Sequence, residues 1–196
     1  VEIREARNFR RSAATNDDGA GGAEAVSAKD DRAPGQRRTM NDETNAGRPR
    51  AVSAIFWAGL LCGVLDINAA FVTWWSRGVR PVDILQAIAS GLIGRKSFNG
   101  GMRTAALGLS LHFLIAFTAA GVFYAASRKL KFMTRRPVIS GITYGVCVYV
   151  WMYWIVIPLS NYHPAAFSWF NASVAVVTHM ICVGLPISLV VARFSR

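Results

Sequence analysis

Four stretches of the chain run for more than twenty residues almost without charge. Residues 51–75 hold one charged residue, Asp66, and residues 104–127 hold one titratable group, His112. Residues 138–160 hold no charge, and residues 172–192 hold one titratable group, His179. A helix needs about 20 residues to cross the hydrocarbon core of a bilayer, and all four stretches reach that length. Backbone groups cannot stay unpaired in lipid, so such stretches form helices or closed-barrel strands. None alternates with period two, so the pattern predicts four transmembrane helices in an all-α fold. A soluble domain with one core does not carry apolar runs this long.

Between the first two spans, residues 82–94 are apolar but too short to cross. Pro81 suits a first helical position and Gly94 a helix end. Val82, Leu85, Ile88, Ala89 and Leu92 fall at helical spacing on one side, with Asp83, Gln86 and Ser90 on the other. The pattern predicts an amphipathic helix that either lies at the membrane surface or enters as a re-entrant half-helix.

Residues 1–50 differ in kind. They show no periodicity and have few large apolar groups, and such a composition cannot bury enough surface to offset ordering entropy, so they read as a disordered tail. Arg10-Arg11 is followed by no apolar stretch and is not a twin-arginine signal. Met40 precedes a short polar stretch and then the first span. Residues 1–39 are therefore expected to be a dispensable tail or to lie outside the native protein. Asp66 interrupts the first span too late, and the apolar run continues too far, for a cleaved signal peptide.

Charge changes its meaning once the chain is divided. The net charge is +11, yet residues 1–50 hold ten Lys/Arg against nine Asp/Glu, and residues 51–196 hold twelve against two. The excess sits beside the spans, where it marks topology and not nucleic-acid binding. Near the spans, eleven positives lie before span one (Arg37, Arg38, Arg48 and Arg50), between spans two and three, and after span four; five (Arg77, Arg80, Arg95, Lys96 and Arg103) lie between spans one and two. This puts both termini in the cytoplasm and leaves the group of five unexplained. The run from Arg128 to Arg136 follows the same rule. The bilayer is the expected partner, together with a second copy or another membrane protein.

Small residues predict how the spans meet, because lipid supplies no hydrophobic drive between helices. Gly59 and Gly63 share a face of span one with Asp66 and Ala70. Ala105, Gly108, His112, Ala116 and Ala119 share one of span two, and Gly141 and Gly145 form a GxxxG pair in span three. Ala172, Ala175, His179, Cys182 and Pro186 line up in span four, where Gly184 and Pro186 predict a kink. Cys62, Cys147 and Cys182 read as small core residues, with no disulfide or metal spacing.

Asp66, His112 and His179 thus fall on inward faces at similar depth below one end of the bundle, by a rise of about 1.5 Å per residue. An ionisable group within a span is expensive, which makes the three a candidate polar site. Three readings follow: a structural or accessory membrane component whose polar groups hold helices together, Asp66 pairing with His112 or each His donating to a carbonyl; a proton, ion or small-solute path; or axial ligation of a haem. No residue set has catalytic spacing and His163 reads as a loop residue, so neither an enzyme nor a required cofactor or metal is expected.

Residues 85–94 (LQAIASGLIG), Gly100-Gly101, His112-Phe113, Arg136-Pro137, Tyr144-Gly145, Pro158-Leu159-Ser160 and Gly184-Leu185-Pro186 resemble a set of small bacterial multi-span inner-membrane proteins. The resemblance covers about residues 52–194. It implies a multi-pass protein of a bacterial inner membrane, and it brings no activity and no site residues, since none is established for that set.

Overall fold

The computed structural model describes residues 34–162 and 167–195, with side chains from Arg50 onward. Residues 1–33 of the tail lie outside the described residues, as do His163 and Arg196; residues 34–50, expected to be disordered, instead continue the first span's helix backward. Residues 43–196 form one compact unit; those before them belong to a separate one. The described residues contain helices and no strands.

The first helix, α1, spans Pro34–Trp75, and its membrane-length part is Arg50–Trp75. Helix α2 (Pro81–Ile93) is followed by a 3-10 turn, Gly94–Asn99. Helix α3 covers Gly101–Lys129 and the single turn α4 covers Phe132–Arg135. Helix α5 runs over Pro137–Leu159 and α6 over Trp169–Phe194. Four of these, α1, α3, α5 and α6, are long and apolar enough to cross a membrane. Pro81 and Pro137 open α2 and α5, where a missing N–H costs nothing.

Two of the long helices widen into π-helix just before a proline. Met152–Val156 precedes Pro158 in α5, and His179–Gly184 precedes Pro186 in α6. A proline ring cannot donate to the carbonyl four residues back, and it crowds that carbonyl; a wider turn relieves both. In α6 the interruption falls where Gly184 and Pro186 predict a kink. The equivalent one in α5 is not foreshadowed beyond Pro158 itself.

Glycine sets the helix contacts. Gly59 and Gly63 in α1 lie under the rings of Phe117 and Phe113 in α3. Gly141 faces the backbone of Gly184 and Leu185, and a Cβ on Gly145 would stand 2.6 Å from the Cα of Met180. The close-packed core collects Ala58, Cys62, Ala120, Phe123, Ile187 and Val191 at the end of the bundle away from α2. Tyr144 joins it, its ring edge-on to Phe123 at 5.0 Å and its hydroxyl donating to Ala119 O at 2.7 Å. Of the three free cysteines only Cys62 is buried; Cys147 is exposed, because it falls on the side of α5 away from the other helices, so it is not the core residue expected.

Helix α2 lies across the other end. Its buried residues are Gln86, Ala89 and Ser90, whereas Leu92 is 58% exposed. Gln86 and Ser90 of the polar side therefore face the protein together with Ala89 of the apolar side, while Asp83 stays at the surface paired with Arg80. Gly108 of α3 makes this possible: its missing side chain admits the backbone of Leu85 and Ala89. Gln86 Nε2 then donates to Gly101 O at 3.0 Å. At the far end of α2, Asn161 donates from its backbone N–H to Gly91 O at 2.9 Å and from Nδ2 to Leu92 O at 3.1 Å. In an apolar surround, polar groups are satisfied only by other protein groups, so Gln86 and Ser90 turn inward.

Candidate functional site

Counted from the helix ends, Asp66 lies nine residues before Trp75, His112 eleven after Gly101 and His179 ten after Trp169. At about 1.5 Å per residue each is about 14–17 Å from the α2 end, near the middle of a bilayer. The helices also bring them to one place. All three line a cavity of about 220 Å³, together with Cys62, Ile88 and Val183.

The three are not bonded to one another. His112 Nε2 donates to Gly63 O, 2.9 Å away on α1, and His179 Nδ1 donates to Ala175 O in its own helix at 2.8 Å. A carbonyl only accepts, so each ring carries its proton on the nitrogen facing that carbonyl. The second nitrogen, Nδ1 of His112 and Nε2 of His179, makes no hydrogen bond to a described residue. The expected pairing of Asp66 with His112 is absent because Gly63 O already holds the histidine's donor nitrogen; the alternative, each His bonded to a carbonyl, is what is found. No described residue makes a hydrogen bond to the Asp66 carboxyl.

Asp66 and His179 also border a second cavity, of about 170 Å³, which extends toward the α2 end. Thr73, Arg77, Asn171 and Thr178 supply its polar lining. Arg77 stands over the Trp74 ring, 4.9 Å from its centroid, and 5.7 Å from that of Phe170. Its guanidinium donates to Asn171 Oδ1 at 2.7 Å, tying the end of α1 to the start of α6. The pattern along the chain singles out neither Asn171 nor Thr178. Arg77 was visible only as one of five positives without an explanation.

Gly59, Gly63, Gly141 and Gly145 lie at helix contacts outside the polar lining, apart from Gly63, whose carbonyl anchors His112. Among the described residues, no group of three or more His, Cys, Asp or Glu is placed to hold a metal ion. A haem does not fit between the histidines. The cavity there is about 220 Å³, smaller than the ~300 Å³ at which pockets begin to enclose larger ligands, and Nε2 of His112 is engaged.

Comparison with protein-family models, with curated proteins and with solved structures gives no match. The chemistry of the site rests on its geometry alone.

Proposed function

We propose that this is a non-enzymatic, multi-pass protein of a bacterial inner membrane that moves protons or small cations through the site at Asp66 and His179. The observation that carries the reading is the position of Asp66. Its carboxyl borders both cavities and has no hydrogen bond from a described residue. A carboxyl kept to hold helices together would be paired. One left open to two water-sized spaces is available to take up and release a proton. His179 shares both cavities and His112 the deeper one, each with one ring nitrogen bonded to no described residue.

The charge distribution supports an orientation with both termini in the cytoplasm and the α2 end outside. Four spans make a narrow path, so assembly with a second copy or another membrane protein is part of the proposal. The structural or accessory role is the second reading. It is favoured by the His112–Gly63 O bond, which joins α3 to α1.

Purified protein in vesicles carrying a pH-sensitive dye separates the two. The transport reading expects Asp66→Asn to accumulate and fold like wild type while proton flux is lost. A variant that fails to fold, or a wild-type protein with no flux under an imposed gradient, refutes transport and leaves the structural role.

A further inference from the structure

A third and larger cavity, of about 640 Å³, lies beneath α2. Ile84, Ala87, Ile88, Gly91 and Leu92 of that helix form one wall. Leu111 and Ile115 of α3 form another, and Met152, Val156 and Ile157 of α5 the third. Asp83, Ser160 and Tyr162 lie at its polar end. This side of α2 therefore faces open space between it and the other two helices.

Depth, access and charge name the occupant. Ile115 is fourteen residues into α3. The cavity thus reaches about 21 Å below the start of that helix, headgroup level plus one leaflet of a ~30 Å core. Its lining residues Leu92, Phe98 and Ile115 are also exposed on the apolar outer surface, so it opens sideways, where lipid chains lie. Basic residues neighbour the lining residues along the chain. Arg80 chelates the lining residue Asp83, Nε to Oδ2 and Nη2 to Oδ1 at 3.0 Å each. Arg77 stacks on the lining residue Trp74, and Arg95 and Lys96 share the 3-10 turn of Phe98. Asp83 is the one acid in residues 76–103, which carry five Lys/Arg.

We propose that this cavity is a binding site for an anionic phospholipid of the surrounding bilayer. One acyl chain fills the space beneath α2, and the phosphate headgroup rests among Arg77, Arg95 and Lys96. The site accounts for three of the five positives that the topology rule leaves over, and Arg80 is paired with Asp83. It does not depend on the proton path.

Trp74 lines the cavity and reports its occupant. The protein is placed in vesicles containing phosphatidylglycerol or phosphatidylcholine with brominated acyl chains, and the Trp74 contribution is taken by difference from Trp74→Phe. Phosphatidylglycerol is expected to quench Trp74 at several-fold lower mole fraction than phosphatidylcholine. Neutralising the exposed pair with Arg95→Gln and Lys96→Gln is expected to erase that preference. Ala87→Phe, which fills the cavity, abolishes the quenching by either lipid. Should that variant not fold, the surface pair still decides. Equal quenching by the two lipids, a preference unchanged in the surface pair, or quenching unchanged in folded Ala87→Phe overturns the proposal.

Discussion

Gly145→Ala is the sharpest test of the packing. A Cβ there would stand 2.6 Å from Met180 Cα and 2.8 Å from His179 C, both backbone atoms of α6. Carbon atoms sit comfortably at about 3.5 Å, so α5 and α6 must part by about 0.9 Å. A gap of that size forfeits a quarter to a half of the dispersion energy across the seam, and overpacking of this kind costs about 1–3 kcal/mol. Alanine returns about 1 kcal/mol of helix propensity. Gly121 provides the control, because a Cβ there meets nothing within 4 Å. Gly121→Ala is expected to hold or gain stability, by up to about 1 kcal/mol. Gly145→Ala is expected to fall below it by about 1–3 kcal/mol. Equilibrium unfolding in detergent micelles, followed by near-ultraviolet circular dichroism, measures both. A Gly145→Ala protein as stable as Gly121→Ala refutes the close approach of the two helices.

Two further expectations concern single bonds. His112→Ala removes the bond to Gly63 O and is expected to cost about 0.5–2 kcal/mol in the same unfolding measurement, with most of it restored by His112→Gln. The hydrogen bond from Arg80 holds the Asp83 carboxyl below its ordinary value of 3.8, so the Asp83 contribution to anchoring the start of α2 is present above that value and lost as the pH falls through the lowered one. Proteolysis of the segment between α1 and α2 is expected to rise over that acid window in wild type and to be flat in Asp83→Asn.

The spans are legible in the sequence because lipid imposes a length and forbids charge over it. Their ends move by only a few residues, as when the segment starting at Thr104 becomes a helix starting at Gly101. Depth along a helix is equally legible, since rise per residue is constant. Azimuth is less so. Asp66 and His112 reach one cavity, yet the partner of His112 is a carbonyl, which every residue has and no side-chain pattern marks. Helix α2 defeats the usual rule for another reason. An amphipathic pattern states that one side differs from the other, and only the surrounding medium decides which side turns inward. Against lipid, Gln86 turns toward protein and Leu92 away from it.

The widened turn His179–Gly184 also settles how the last helix meets its neighbours. It takes up one residue more than a regular turn, so everything after it is rotated by about 100° relative to a straight continuation. Regular spacing from Ala175 and His179 would carry the inward stripe to Cys182, Pro186 and Val190. Pro186 is buried as that spacing expects, but the stripe itself moves on by one residue, to Val183, Ile187 and Val191. The helix therefore carries two registers on one axis: the first half aims His179 at the polar cavities, and the second aims its branched side chains at the core. Each half is free to change its sequence pattern without turning the other, which lets a polar site and a tight seam share a single span.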